Sequence, residues 1–364
     1  MAILTTPHTR RKFPLLLLLL PLLLCGCYTD FDPKIESSPT LCMNSLVKAG
    51  EPIEVRLTRT WAWDEGTPKE DFDIEVTAAT VRLYVNDRYV ETLVPADVKV
   101  DYTSSSYPFD EKKQKGFATT DYLPQPGDRI RLVAESSDYG SAEATTDIPT
   151  PVAIDRLEIS VSNFGVFDYY DYETTYTMDL DLRVWFTDPA GEGDRYRFDA
   201  GIADRHREID EEGILIPLDQ YIWSCSPDMT KEPLFSEHMS PLESVISSAG
   251  GYTIFSDRTI DGQQYPIHIT ISNMQYCITK DIDALDEEEA DCLSVKLQRI
   301  SEEYYRHVLS VWVANDGIAG SLGSVGLGNL VHAHSNVSTG AGVVASEASS
   351  EIKINILRLV KENL

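Results

Sequence analysis

The sequence has little positive charge, few cysteines and no second long apolar run. It carries 31 lysine and arginine residues against 59 aspartate and glutamate residues, which gives a formal net charge of −28. A surface this acidic repels nucleic-acid phosphates and anionic lipid headgroups, which argues against nucleic-acid binding and against attachment through a basic patch. The one long apolar run lies near the N-terminus, so the remainder of the chain is expected to be water-soluble.

Catalytic motifs are also missing. The chain has no Gly-x-Ser-x-Gly nucleophile elbow. Its glycine-rich stretch, residues 317–328, lacks the Lys-Ser or Lys-Thr of a phosphate-binding loop and follows a predicted helix instead of leading into one. With 59 acidic residues, no catalytic carboxylate pair can be singled out. We therefore expect a protein that is not an enzyme, with no catalytic residues and no cofactor.

Metal-binding patterns are incomplete. His332 and His334 would share one face of a strand and His307 could join them, but no recognised spacing supplies the three or four ligands that zinc takes. The acidic segment 281–291 offers oxygen ligands, yet Asp286 stands where an EF-hand loop needs glycine. We predict a solvated loop there, with weak calcium binding as the alternative, and no metal site.

The N-terminal segment has the features of an export signal. Three basic residues at positions 10–12 precede an apolar run from Phe13 to Leu24. This run is about a dozen residues long, whereas a helix that spans a bilayer needs roughly 20, so a cleaved signal is favoured over a permanent span.

The junction "LCGC", residues 24–27, resembles the bacterial lipobox. In that motif a small residue precedes a cysteine whose thiol receives diacylglycerol and whose freed amine is then acylated, here expected with palmitate. Cys27 fits this role better than Cys25, because Leu24 would stand where a small residue is needed. Several acyl chains on one residue give stable anchoring. The alternative is an ordinary buried cysteine beside a short anchor helix.

Cleavage before Cys27 would remove a signal peptide of residues 1–26. This takes away three basic and no acidic residues, which leaves 28 against 59 and a net charge of −31. The mature chain would begin with a lipidated tether, residues 27–38. Its start, "YTDFD", resembles the surface-export signal of Bacteroidota lipoproteins, although a solvated acidic tether would look the same. We expect a lipid anchor in the outer membrane and exposure at the cell surface.

Four further cysteines lie in the mature chain: Cys42, Cys225, Cys277 and Cys292. An exported protein meets an oxidising compartment, and four cysteines allow three pairings. Cys277 and Cys292 are the favoured pair, because they flank an acidic segment that could be the tip of a long hairpin. A disulfide closing this loop would stabilise the fold by about 3 kcal/mol. Four separate thiols are the alternative.

Short alternating strands indicate a mainly β fold. Residues 39–149 contain "IEVRLTRTW", "TVRLYVNDRYVETLV" with a turn at Asn86-Asp87, and "QPGDRIRLVAES", which favour an immunoglobulin-like or transthyretin-like β-sandwich. The proline-rich "IPTPVAI" is the predicted linker. A second β-rich domain is predicted over residues 152–364.

One amphipathic helix is predicted in the second domain, near residues 301–314. Ser301 can cap its first turn. Apolar residues recur at the i, i+3, i+4 and i+7 positions of one helical stripe, which should dock on a sheet: Tyr305, Val308, Leu309 and Trp312. The chain is expected to close with a strand, "ASSEIKINILRLV".

Two aromatic stretches are candidate binding surfaces. "WAWDEG" places Trp61 and Trp63 on one face of a predicted strand, and "FGVFDYYDYETTY" contains Tyr169, Tyr170 and Tyr172 among acidic residues. Exposed aromatic rings can stack on sugars or hold peptides. The alternative is a set of core aromatics that runs into a hairpin.

Several stretches together resemble one family. "MNSLVKAGEPIEVRLTRT", "ATVRLYVND", "QPGDRIRLVAES", "FTDPAGEGDRYRF", "IFSDRTIDGQQY" and "SEEYYRHVLSVW" follow in the order typical of a Bacteroidota lipoprotein family, domain of unknown function 4249 (DUF4249). Residues 333–349, "AHSNVSTGAGVVASEAS", take the place of the family's glycine-rich SNI stretch, with part of the glycines lost. The resemblance implies outer-membrane lipoproteins that work beside TonB-dependent receptors, and it offers no established catalytic residues.

The leading hypothesis is a non-catalytic lipoprotein of the outer membrane that binds a ligand or partner protein, as an accessory to a TonB-dependent transporter. The alternatives are an adhesin or structural envelope component and, third, a hydrolase with an unrecognised site.

Overall fold

The computed structural model describes residues 38–61, 74–98, 114–170, 173–191, 193–203, 219–236, 253–288, 290–315 and 332–364. The chain divides into two units, Met1–Ser38 and Pro39–Leu364, and the second unit is described below. The signal peptide, Cys27 and the tether up to residue 37 lie outside the described residues.

The protein is mainly β, as the sequence pattern predicts. In chain order the strands are β1 (Leu41–Lys48), β2 (Glu54–Arg59), β3 (Thr80–Val85), β4 (Arg88–Thr92), β5 (Val94–Val98), β6 (Gln114–Ala118), β7 (Arg129–Ser136), β8 (Gly140–Asp147), β9 (Ile154–Tyr170), β10 (Glu173–Thr187), β11 (Arg195–Ala203), β12 (Gln220–Ser224), β13 (Pro227–Asp228), β14 (Ile254–Ser256), β15 (Gln264–Ile278), β16 (Cys292–Ile300) and β17 (Val344–Asn355). The helices are α1 (Glu302–Asn315) and α2 (Ile356–Asn363), with short 3-10 turns at Pro233–Ser236 and Ile282–Ala284.

The strands form three sheets. An eight-stranded sheet has the order β14-β11-β16-β17-β1-β2-β6-β5, a five-stranded sheet has the order β12-β15-β10-β9 with β13 beside β15, and a four-stranded sheet has the order β4-β3-β7-β8. The first and last strands, β1 and β17, pair in parallel at the middle of the eight-stranded sheet. The two ends of the described chain are thereby held together.

Two hydrophobic cores lie between these sheets. The first core packs alternate residues of β1 and β2 against β3, β7 and β8, and the second packs β10 and β15 against β11 and β16. The alternation of side chains along a strand explains the first core, because Leu41, Met43 and Val47 point inward from β1 and are fully buried. The cores divide near the predicted linker, whereas the eight-stranded sheet takes strands from both predicted domains.

Residues 332–343 lead into β17 and pack against the first core. The Asn336 carboxamide donates to the carbonyl oxygens of Thr145 (3.2 Å) and Val344 (2.8 Å), and its oxygen accepts from the Val344 amide (3.0 Å). Val337 and Val344 enter the first core. The "SNV" stretch therefore joins β8 to the start of β17, which gives this part of the sequence a structural role.

The turn between β3 and β4 has the predicted position. Asn86 and Asp87 both adopt left-handed backbone conformations, with φ of 51° and 63°. These values suit a type I′ hairpin turn, which matches the twist of the strands that it joins. The Asn86 side-chain oxygen also accepts from the Arg129 amide at 3.0 Å.

Helix α1 confirms the predicted helix, and α2 corrects the predicted final strand. The Ser301 hydroxyl accepts from the Tyr304 amide at 3.3 Å, as expected of a cap, and the helix contacts β17 and β11. The last strand ends at Asn355, whose side chain caps α2 through the Arg358 amide (2.9 Å). Three apolar residues of α2 at helical spacing fill the second core: Ile356, Leu357 and Val360.

The predicted disulfide is not present. Cys277 lies in β15 of the five-stranded sheet and Cys292 begins β16 of the eight-stranded sheet, so the segment between them links two sheets and is not a hairpin tip. The Cys277 thiol lies 3.6 Å from the Thr175 hydroxyl, and the Cys292 thiol donates to the Ala290 carbonyl at 3.5 Å. Both residues are thiols in the structure.

Candidate functional site

Two turns from "FTDPAGEGDRYRF" and "IFSDRTIDGQQY" meet beside the second core. They bring together Asp188, Asp257 and Asp261, which we call the acidic cluster. Asp188 and Asp257 are 1% and 2% exposed. Each carboxylate caps backbone amides of the opposite turn: Asp257 accepts from Gly193 (2.7 Å), Asp261 from Gly191 (2.8 Å) and Asp188 from Gly262 (3.0 Å).

Buried Tyr196 supports the acidic cluster from below. Its hydroxyl donates to Asp188 at 2.5 Å, and its ring stacks on Phe255 with centroids 5.1 Å apart. Burial raises the pKa of Asp188, the nearby Asp194 and Asp257 carboxylates raise it further, and the hydrogen bonds from Tyr196 and Gly262 act in the opposite direction. Burial also raises the pKa of Tyr196, which therefore stays protonated and donates.

The acidic cluster has oxygen atoms within 4.8 Å of one another. Hard oxygen ligands of this kind suit calcium. Here, however, the carboxylates already accept from backbone amides and from Tyr196, so their visible role is to hold two turns together. Both stretches stood out in the sequence through the family resemblance, but their meeting was not predicted, because the contact joins segments that are distant in the chain.

Replacement of Tyr196 by phenylalanine is expected to lower the free energy of unfolding by about 1–3 kcal/mol, because a buried carboxylate loses its hydroxyl donor. Urea denaturation followed by fluorescence measures this change. The matched control is Tyr89→Phe, since the Tyr89 side chain is 56% exposed and its loss of a hydroxyl should leave the midpoint unchanged. An unchanged midpoint for Tyr196→Phe would contradict the described hydrogen bond.

A second candidate lies on the five-stranded sheet, on the side away from the second core. Phe167, Tyr221 and Trp223 project from this side together with the carboxylates of Glu173 and Asp179, and we call these five residues the aromatic–acidic face. Cross-strand pairing places Phe167, Thr175, Cys277 and Tyr221 in one row from β9 to β12. Trp223 is 65% exposed and Phe167 is 55% exposed.

The rings of the aromatic–acidic face are held by their neighbours. The Tyr221 hydroxyl donates to Glu173 at 2.8 Å, and its ring meets Trp223 edge to face with centroids 6.3 Å apart. Phe167 lies over Gly165, where a Cβ atom would come within 3.0 Å of the Phe167 ring. Beneath Tyr221, burial raises the pKa of the Cys277 thiol, so this cysteine is a poor nucleophile.

The Asp179 carboxylate of this face keeps its charge. Asp179 accepts from the Asn273 amide and from the Asn163 side chain, both at 2.6 Å, and these bonds lower its pKa. In the part of the chain that the structure describes, neither Asp179 nor Glu173 has a cationic partner. The face therefore combines exposed rings with negative charge.

Of the five predicted binding residues, Trp61 is the one whose side chain lies among the described residues. Trp61 follows β2 of the eight-stranded sheet, is half-buried, and has the Arg59 guanidinium 4.3 Å from its ring. Tyr169 and Tyr170 end β9 of the five-stranded sheet, and their side chains, like Trp63 and Tyr172, lie outside the described residues. Sequence reasoning missed Trp223, whose only local signal is the short alternating stretch "QYIWS".

The other patterns weighed in the sequence have ordinary partners. His307 Nδ1 lies 2.9 Å from the carbonyl oxygen of His334. In the acidic segment, the Asp281 carboxylate accepts from the Asp283 amide at 3.1 Å and caps a 3-10 turn. A cavity of about 440 Å³ on the eight-stranded sheet is lined by opposite charges, with Lys296 3.7 Å from Glu351.

Fold and site define a mainly β protein with two cores, one shared sheet and an exposed aromatic–acidic face. Comparison with family models gives the particular family: the one described as "Domain of unknown function (DUF4249)" matches residues 28–353, and the chain belongs to it. Comparison with curated proteins found no match. Comparison with solved structures found none either.

Among the described residues, neither α1 nor α2 has the length and apolar character to cross a bilayer.

Proposed function

We propose that the protein is a non-catalytic lipoprotein of the outer membrane, anchored through Cys27 and exposed at the cell surface, which binds a partner or ligand as an accessory to a TonB-dependent transporter. The observation that carries the proposal is the junction "LCGC" after a short apolar run. The acidic "YTDFD" that follows supports surface exposure. The resemblance of the chain to DUF4249 lipoproteins, which implies work beside TonB-dependent receptors, supports the partner.

The body of the protein is compatible with this role. Its charge is strongly negative, so anionic lipid headgroups repel it and a covalent lipid is the physical means of attachment. Several acyl chains hold a protein stably where one chain is marginal. The aromatic–acidic face offers exposed Trp223 and Phe167 for a partner, and aromatic residues of this kind carry much of the binding energy at interfaces.

Extraction of membranes with a mild non-ionic detergent tests the partnership. The full chain, tagged at its C-terminus, is expected to copurify with a large outer-membrane barrel protein of the TonB-dependent class. The matched control is the same chain exported by an ordinary secretory signal without a lipidated cysteine, which should recover less of the barrel. Recovery of no barrel protein with the lipidated chain would contradict the accessory role.

A further inference from the structure

We propose that the aromatic–acidic face binds a positively charged segment of a partner protein, one that presents arginine or lysine beside apolar side chains. This inference rests on the proposed function and deepens it, because it names the surface and the chemistry of what that surface takes. It also places the contact on the side of β9, β10 and β12 that faces away from the second core.

The exposed rings are the first support. Isolated exposed apolar residues are ordinary on protein surfaces. Phe167, Tyr221 and Trp223, however, share one side of one sheet, and two of them are more than half exposed. Tryptophan gives the strongest attraction to a cation above its ring, and arginine is the cation that stacks there most often.

The charge distribution on the same side of the sheet is the second support. Three basic residues of this side each lie beside an acid: Arg156 is 3.0 Å from Glu158, and His268 is 2.7 Å from Asp181, with Arg183 beside the same Asp181 at 3.9 Å. Among the described residues, Glu173 beside the rings accepts from the neutral Tyr221 hydroxyl. Asp179 lies near the middle of β10 and accepts from the neutral Asn163 side chain and Asn273 amide. Within the described part of the chain these two carboxylates have no cationic partner, so a cationic segment is complementary to this side of the sheet and an anionic one is repelled.

The rigidity of the face is the third support. Glu173 fixes the Tyr221 hydroxyl, Trp223 packs against the Tyr221 ring, and the Phe167 ring rests on Gly165. Side chains that are already held lose little conformational freedom when a partner arrives, so more of the contact energy appears as affinity.

The experiment measures fluorescence anisotropy of labelled decapeptides with the full chain in non-ionic detergent. An alternating arginine–alanine peptide is expected to bind, and a glutamate–alanine peptide is not. Trp223→Ala should weaken arginine-peptide binding at least about fivefold through loss of the cation–ring contact. Glu173→Gln combined with Asp179→Asn should weaken binding and reduce its dependence on salt. Thermal unfolding checks that each variant is folded.

The matched control is Tyr89→Ala, which removes an exposed ring from the four-stranded sheet and should leave binding unchanged. If Trp223→Ala and Tyr89→Ala weaken arginine-peptide binding equally, or if neither weakens it, the peptide binds only through the overall negative charge of the protein. Either result would overturn the inference. Binding of a neutral sugar, maltoheptaose, lost in Trp223→Ala while the arginine peptide is unaffected, would also overturn it.

The copurification experiment separates this inference from the proposed function. If Trp223→Ala leaves recovery of the barrel protein intact and peptide binding unchanged, the partner contacts another surface and only the inference fails. If the wild-type chain recovers no barrel while the peptide still binds in a Trp223-dependent manner, the accessory role fails and the cation-binding face stands.

Discussion

Replacement of Gly342 by alanine is expected to lower the free energy of unfolding by about 3 kcal/mol. Gly342 has φ of +106°. Residues that carry a side chain rarely adopt this backbone conformation, which costs them about 1–3 kcal/mol. A Cβ atom there would also clash with the Met43 carbonyl oxygen and would come within 2.9 Å of the Asn44 side chain. These atoms belong to β1, so β1 and the approach to β17 must separate.

Urea denaturation of the full chain measures this loss as a lower midpoint. The matched control is Gly201→Ala in β11, because no atom lies within 4 Å of the added Cβ and the backbone is not left-handed. This control should leave stability unchanged or raise it by up to about 1 kcal/mol. Equal midpoints for the two variants would contradict the described parallel junction of β1 with β17.

Replacement of Cys27 by alanine is expected to move nearly all of the protein out of the membrane fraction. The apolar run Phe13–Leu24 belongs to the predicted signal peptide, and in this account the acyl chains on Cys27 hold the mature chain at the membrane. Ultracentrifugation of cell lysates with immunoblotting of pellet and supernatant gives the distribution.

The control for this prediction is Cys25→Ser, which keeps Gly26 and Cys27 and should remain in the membrane fraction. Retention of Cys27→Ala in the membrane, in amounts like the wild type, would show that another segment anchors the chain. Loss of Cys25→Ser from the membrane fraction would indicate that Cys25, and not Cys27, carries the lipid.

Local features of the fold were predictable from the sequence. Alternation within β1, β3, β7 and β10 is a property of consecutive residues, and the Asn86-Asp87 turn needs only its own backbone conformation. The cap and span of α1 were predictable for the same reason. Its apolar stripe is less covered than expected, because only Trp312 of the four predicted residues is fully buried.

Non-local features were not predictable. The sequence does not predict that β1 pairs with β17, or that Asn336 bridges β8 and β17 across nearly two hundred residues of chain. In both cases the partners are distant in the sequence and only the complete fold brings them together. The predicted disulfide was wrong for the same reason. Cys277 and Cys292 are close in sequence, but Cys277 lies in β15 of the five-stranded sheet and Cys292 lies in β16 of the eight-stranded sheet.

The candidate site likewise combines features that the sequence predicts with features that only the complete fold produces. Aromatic residues in "FGVFDYYDYETTY" were recognisable as a candidate surface, and the structure places Phe167 of that stretch on an exposed sheet. Trp223 lies on the same sheet as Phe167, although two strands separate β12 from β9 in chain order. The acidic cluster likewise needs the contact between two turns, because Asp188 and Asp257 carry no motif of their own.

Mass spectrometry of the N-terminal peptide from purified membranes tests the central claim most directly. The account predicts that the mature chain begins at Cys27 and that this residue carries the mass of a diacylglyceryl group and an amide-linked acyl chain. An unmodified thiol at Cys27, or a mature chain that starts at another residue, would contradict the lipid anchor and with it the proposed place of the protein in the envelope.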